Sequence, residues 1–226
     1  MEVSAVIPAY NEEGMVGETI RALQTVEGIN EIIVIDDGSH DGTAQAAREA
    51  GALTFSLAAN SGKGQALAVG CALSKGDILL LLDADLGESA REAAALLKPV
   101  MAGGADMSIA VFPLTPGEGG FGLVQSLSRW AIKRSGGPLL TQPLSGQRAM
   151  KRSVWQELGS GYGFGIETAL GMGVHRLGCR VVEVPVAMTH RRTGRDFRGM
   201  VHRGRQLVHV LLTILRHWRC LLRWGV

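Results

Sequence analysis

Short, unbroken apolar runs alternate along the chain with segments of mixed polarity. Residues 3–7 are apolar up to Pro8 and predict a buried strand. Residues 12–26 predict a helix, with Met15, Ile20 and Leu23 on its apolar side and Asn11 as a candidate cap. A second strand is expected over 31–35, running into the turn signature Asp36-Asp37-Gly38-Ser39. A helix over 43–50, a strand over 53–57 and a helix over 65–73 follow. Residues 77–82 read as a central strand, apolar from Ile78 to Leu82 and so buried on both faces. In the second half, strands are expected over 106–112 and 180–184. Helices are expected over 123–134, 153–158 and 166–177, and loops over 113–120 and 136–146. Strand and helix in alternation, with continuous apolar strands, argue for an α/β fold: a mostly parallel sheet flanked by helices.

Ligands of such sheets bind beyond the carboxyl ends of the strands. The polar clusters fall there: Tyr10-Asn11-Glu12 after the first strand, Asp36-Asp37 after the second, and Asp83-Ala84-Asp85 after the central one. This convergence is the strongest functional signal in the sequence.

Composition narrows the class. Of 226 residues, 46% are hydrophobic and 19% charged, which supports a sizeable core and excludes disorder. The 31 glycines are roughly twice ordinary usage and show no collagen period, so turns and phosphate-facing loops are expected. Three cysteines, Cys71, Cys179 and Cys220, are too few and scattered for a disulfide framework or zinc cluster, which fits a reducing cytoplasm. The N-terminus opens directly on a strand, so no signal peptide is expected. No run of 18 uncharged apolar residues is present to span a membrane as a helix.

Charge is unevenly spread. Residues 190–226 carry nine arginines against one acid, Asp196, a balance of +8, whereas the rest of the chain stands at −6. An acidic body with a basic tail suggests that the tail meets something anionic. Aromatics are 5% and the basic residues cluster only in the tail, so nucleic acid is not the expected partner.

Each motif has a chemical reading and a plainer one. Asp83 and Asp85, two apart at a strand end, suit Mg²⁺ or Mn²⁺ and through it a diphosphate leaving group; alternatively they form a polar turn. Asp36 and Asp37 can accept hydrogen bonds from a base or ribose, or cap a helix. Lys63, between Gly62 and Gly64 at a helix start, suits a phosphate, or is an ordinary helix entry. The spacing is not that of a P-loop, and Pro8-Ala9-Tyr10-Asn11-Glu12 stands where a dinucleotide fold needs its glycines. His190 could complete a metal shell, and Arg191, Arg192 and Arg195 could hold a phosphate or carboxylate; a solvated basic loop is the alternative. Glu167 is a candidate base or sugar-hydroxyl contact, or a helix-surface acid.

Taken together, these residues resemble family 2 glycosyltransferases of the GT-A fold. The resemblance runs through Val6-Ile7-Pro8-Ala9-Tyr10-Asn11-Glu12-Glu13, Ile35-Asp36-Asp37-Gly38-Ser39 with Asp41-Gly42-Thr43, Gly62-Lys63-Gly64 and Asp83-Ala84-Asp85, over about residues 3–90. It implies that Pro8, Ala9, Tyr10, Glu12, Asp36, Asp37, Gly38 and Ser39 hold the nucleotide. It implies that Lys63 meets nucleotide or diphosphate, and that Asp83-Ala84-Asp85 is the DxD metal motif with Asp85 the direct ligand. Pro143-Leu144-Ser145-Gly146-Gln147, the glycine-rich segment ending in Ile166-Glu167 and a later His190 are similar to glucosyl-3-phosphoglycerate synthases. Ser145-Gly146 followed by Ala149-Met150-Lys151-Arg152, with Val181-Val182-Glu183-Val184-Pro185-Val186, is similar to polyprenyl-phosphate sugar synthases.

The expected activity is metal-dependent transfer of a sugar from a UDP- or GDP-sugar to a phosphorylated acceptor, either polyprenyl phosphate or a small phosphorylated acid. Asp85 and Glu167 are the expected catalytic residues; Asp83, Asp85 and His190 the metal ligands; Gly146, Gln147, Arg191, Arg192 and Arg195 the acceptor contacts. The rivals are a nucleotidyltransferase making nucleotide-sugars and a non-catalytic sugar-nucleotide-binding module at the membrane. We divide the chain into a transferase domain over 1–198 and a basic amphipathic helix over 199–226. On a helical projection of the tail, Leu207, Leu211, Ile214, Leu215, Trp218 and Leu222 form one stripe, opposite Arg205, His209, Arg216, Arg219 and Arg223. Such a helix can lie in a membrane interface, giving a cytoplasmic protein peripheral on the cell membrane, or can pack on the body or on a second subunit of a homodimer.

Overall fold

The computed structural model describes residues 1–113, 122–158 and 165–189, together with 208, 210–212, 214 and 215. Among the described residues, seven strands form one sheet in the order β3-β2-β1-β4-β6-β5-β7. They are β1 (Val3–Ala9), β2 (Ile29–Asp36), β3 (Leu53–Ser56), β4 (Ile78–Leu81), β5 (Met107–Val111), β6 (Arg148–Lys151) and β7 (Val181–Pro185). The helices are α1 (Val16–Gln24), α2 (Thr43–Glu49), α3 (Lys63–Leu73), α4 (Ala93–Met101), α5 (Gly122–Arg134), α6 (Arg152–Leu158) and α7 (Ile166–Gly173). β6 runs antiparallel to both neighbours, and every other pairing is parallel. The expected α/β architecture with a mostly parallel sheet is the observed one.

Strand alternation divides the core into two layers. Ala5 and Ile7 of β1, Val34 of β2 and Ile78 and Leu80 of β4 face one way, against Ile20 and Leu23 of α1 and Leu96 and Leu97 of α4. Val6, Leu79 and Leu81 face the other way, against Leu67 and Cys71 of α3, Trp155 of α6 and Leu170 of α7. All four residues of β4 are buried, as its unbroken apolar run predicts. Truncating such a leucine to alanine costs about 2–5 kcal/mol.

α3 lies close on the sheet because Gly70 faces it. A β-carbon there would overlap Val6 and come within 3.1 Å of Ile35 Cγ1. This approach fixes the helix that carries Lys63 at its first position.

Four segments differ from expectation. α1 begins at Val16, and Asn11 does not cap it: Asn11 takes φ +55° and its side-chain oxygen accepts the His40 N–H instead. β6 and the stretch from the 3-10 turn Gly87–Glu92 through α4 form regular structure where no element was anticipated. In the tail, Val210 and Ile214 are buried in the core, whereas Val208, Leu211, Leu212 and Leu215 are exposed. The apolar stripe is therefore split. Ile214 packs on the body, and Leu211 and Leu215 do not. Leu207, Trp218, Leu222 and the tail arginines lie outside the described residues. Among the described residues no helix is long and apolar enough to cross a membrane.

Candidate active site

The carboxyl ends of β1, β2 and β4 lie side by side, because β1 pairs in parallel with both neighbours. Ala9 stands opposite Asp36 in register, and its carbonyl accepts the Asp37 N–H at 2.8 Å. This brings the first two polar clusters together. Asn11 donates its N–H to Ser39 Oγ at 2.9 Å and accepts the His40 N–H at 2.9 Å, so the two loops are latched reciprocally. Glu12 donates its N–H to Thr43 Oγ1 at 2.8 Å. Tyr10 is exposed, its ring edge-on to His40 with centroids 6.5 Å apart. Pro8 is half-buried and Ala9 fully so.

Asp36 and Asp37 are both buried and do different things. Asp36 Oδ1 accepts the Ser39 N–H at 3.0 Å, closing the turn. Asp37 reaches across to the next loop, where its two oxygens accept the N–H groups of Ser61 (2.7 Å) and Gly62 (2.8 Å). Gly38, which follows the two aspartates, has φ +73°, and a β-carbon there would lie 2.7 Å from the Ala59 carbonyl carbon. Asp37 thus shapes the loop that delivers Lys63 to the start of α3.

Lys63 joins the two halves of the chain. Its ammonium lies 2.7 Å from Asp83 Oδ1 and 3.3 Å from Glu167 Oε1. Burial works to lower the Lys63 pKa, but Asp83 and Glu167 outweigh it and hold the group well above an ordinary lysine. Glu167, in the first turn of α7, is buried rather than a helix-surface acid. The other Asp83 oxygen accepts the Gln147 side-chain amide at 2.7 Å. Gly146 lies against the same pair: a β-carbon on it would overlap Lys63 Nζ and stand 3.4 Å from both Asp83 oxygens.

The Asp83-Ala84-Asp85 turn is braced from behind. Ala84 is buried, and its carbonyl accepts the Thr19 hydroxyl at 2.8 Å; the same Thr19 oxygen accepts the Gly87 N–H at 2.8 Å. Asp83 and Asp85 remain half-buried at the strand end. Two hard carboxylate donors at an accessible strand end fit Mg²⁺ or Mn²⁺. Among the described residues no cluster of three metal-binding side chains forms. His190, the expected third ligand, and Arg191, Arg192 and Arg195 lie outside the described residues.

Several residues that shape the site were not anticipated. They are Thr19, the Thr43 hydroxyl, Arg148 and Glu183. Glu183 accepts the backbone N–H groups of Thr141 (2.8 Å) and Gln142 (3.2 Å). Thr43 stood at an expected helix start, and Thr43 and Glu183 fell within motifs that carry the resemblance, but neither was named as a site residue.

Comparison with known proteins agrees with the fold. Glucosyl-3-phosphoglycerate synthase of Mycobacterium tuberculosis is 30% identical, aligned over 93% of this chain and 72% of its own length. Its crystal structure with Mn²⁺, UDP and glucosyl-3-phosphoglycerate superposes with a TM-score of 0.80 at 27% identity, covering 95% of this chain and 79% of that one. An undecaprenyl-phosphate 4-deoxy-4-formamido-L-arabinose transferase of Aeromonas hydrophila is 37% identical over 45% of this chain and 34% of its own. The chain spans between 24% and 64% of the length of several curated relatives. The fold is the GT-A fold of these transferases. Residues 4–159, from β1 through the Lys63–Asp83–Gln147 contacts, match the model of glycosyl transferase family 2, and the chain belongs to that family.

Proposed function

We propose that this protein transfers a glucosyl unit from UDP-glucose to a small phosphorylated acid of the phosphoglycerate type. The observation that carries the reading is the Lys63 ammonium bridging Asp83 and Glu167 above Gly146. One cation there faces the carboxylates of the strand end and the segment that would hold sugar and acceptor. The M. tuberculosis synthase, whose structure with UDP covers 95% of this chain, supports the donor and acceptor class.

In this reading Tyr10, Glu12 and the Asp36–Ser39 turn line the nucleoside site. Lys63 exchanges its carboxylate partners for diphosphate oxygens and offsets the charge that develops on the departing UDP. Asp85, with Asp83, would hold Mg²⁺ or Mn²⁺, which supplies Lewis-acid stabilisation of that diphosphate. Gly146 and Gln147 border the space between donor and acceptor. Glu167 stands where it can meet a sugar hydroxyl or take the acceptor proton. His190, Arg191, Arg192 and Arg195 are proposed to complete the metal shell and bind acceptor phosphate.

A polyprenyl-phosphate acceptor is the second reading. The exposed Val208, Leu211, Leu212 and Leu215 beside a tail of balance +8 favour it, since such a helix can rest on an anionic lipid surface. With this acceptor the phosphate is already anionic and no protein base is needed.

The test is UDP release from UDP-glucose with Mn²⁺, offering 3-phosphoglycerate, glycerol 3-phosphate or polyprenyl phosphate in vesicles. Glucosylated phosphoglycerate, formed by the wild type and lost in Asp85→Asn and after chelation, is expected. Transfer to polyprenyl phosphate alone would establish the second reading. Absence of UDP binding would defeat both.

A further inference from the structure

Arg148 is among the largest wholly buried side chains, at 0% exposure, yet no carboxylate forms an ion pair with it among the described residues. It sits on β6, opposite Leu81 of the central strand. Its Nε–H donates to the Ser145 carbonyl at 2.9 Å, a terminal N–H donates to the Pro143 carbonyl at 2.8 Å, and the other terminal nitrogen lies 4.0 Å from Met107 Sδ. Burial pushes the guanidinium down to about 10, although Glu167 and Glu183 pull it back up. A buried cation without a paired anion is costly, and an apolar side chain of similar volume commonly gives a more stable core. Such a cation points to a use beyond the stability of the core.

That use is visible in what the fork holds. Pro143 and Ser145 belong to the turn that enters β6. The start of this turn is secured otherwise: the Gln142 amide exchanges bonds with Phe112 N–H (3.0 Å) and C=O (2.7 Å), and Glu183 accepts the Gln142 N–H. The end of the turn presents Gly146 to Lys63 and the Gln147 amide to Asp83. Between the two anchored ends, Arg148 grips both carbonyls with one planar group, as only a guanidinium can.

We propose that Arg148 is a positioning residue for sugar transfer, its buried guanidinium holding the Pro143 and Ser145 carbonyls so that Gly146 and Gln147 meet the Lys63–Asp83 pair. This rests on the reading of that pair as the donor site.

The test compares wild type, Arg148→Met and Arg148→Lys by amide hydrogen exchange and by UDP-glucose kinetics with Mn²⁺. In Arg148→Met, exchange over residues 143–147 is expected to rise roughly tenfold with β1, β2 and β4 unchanged, and KM for UDP-glucose to rise roughly tenfold. Arg148→Lys keeps the charge but offers one point ammonium in place of a fork, so it should fall between the two. Should Arg148→Met not fold, Arg148→Lys carries the test alone. Unchanged exchange over 143–147, exchange raised evenly across the sheet, or a loosened turn with unaltered KM would each overturn the proposal. A wild-type chain that binds no UDP defeats the transferase reading itself, whereas a wild type and Arg148→Met that bind UDP equally defeat only the role of Arg148.

Discussion

Gly146 lies directly against the Lys63 ammonium, so close that a β-carbon on residue 146 would overlap Nζ while standing in ordinary contact, at 3.4 Å, with both Asp83 oxygens. The two residues are 83 apart in sequence. Gly146→Ala should therefore displace Lys63 from Asp83 without reaching the core. The atom that must give way is the end of a flexible side chain, so the circular dichroism spectrum should be retained while UDP affinity falls roughly tenfold, about 1.4 kcal/mol. Isothermal titration with UDP and Mn²⁺ checks this, and unaltered affinity would mean that Lys63 can move aside freely.

Lys63 links stability to pH with a definite sign. Its folded-state pKa is raised above the ordinary 10.5, so its contribution is fully present below 10.5 and is lost as pH rises through the folded value. In Lys63→Met that contribution vanishes and Asp83 faces Glu167 without a cation between them. The variant should be about 2 kcal/mol less stable than wild type near pH 7. The gap should narrow above 10.5, where the unfolded chain gives up the lysine proton that the folded wild type still holds. Urea midpoints across this range decide the matter; a constant gap would count against the ion-pair account.

Asp37 is predicted to act on the loop before it acts on any ligand. Asp37→Asn leaves one oxygen for two N–H groups and turns an amide toward the other, at Ser61 or Gly62. Loss of one charge-assisted bond and one mismatch should cost about 1.5–3 kcal/mol. Exchange of the Ser61 and Gly62 amides should rise more than that of β2, by hydrogen-exchange mass spectrometry. An even rise across both would mean the carboxylate supports the whole sheet rather than this loop.

Thr19 is far from solvent yet braces the proposed metal turn through one oxygen. Thr19→Val preserves shape and strands the Ala84 carbonyl and the Gly87 N–H. A loss of about 1–3 kcal/mol is expected, with weakened Mn²⁺-dependent UDP binding. Thr19→Ser should retain both bonds and recover the binding. Failure of serine to rescue would show that the methyl group, not the hydroxyl, is what matters.

The parts of the site that follow strands in the first half were legible in the sequence. Apolar runs ended at Pro8, Asp36 and Asp83, and parallel pairing of neighbouring strands carries such ends to one edge, so Tyr10, Asp37 and Asp85 could be placed together from pattern alone. Lys63 stood out because glycines flank it at a helix start. β6 did not, since four residues, Arg-Ala-Met-Lys, show neither a long apolar run nor clean alternation, and their strand state comes from pairing with β4 and β5 on either side.

By itself the sequence determined the α/β class, the edge at which polar residues gather and the carboxylate pair suited to a divalent ion, because these depend on local periodicity and on strand ends. Only the tertiary structure decided which partners those residues have. Glu167 reads from its sequence as a base, a sugar contact or a surface acid, and only the packing of α7 brings it to Lys63. Arg148 falls in no element that the sequence predicts, yet β6 pairs on both sides and its guanidinium is sealed against two carbonyls. In the tail, Ile214 and Leu215 are equally apolar neighbours, and only the surface offered by the body buries one and exposes the other. Contacts between residues many tens of positions apart depend on how elements dock, and docking energy is set by the facing surface, which no local pattern records.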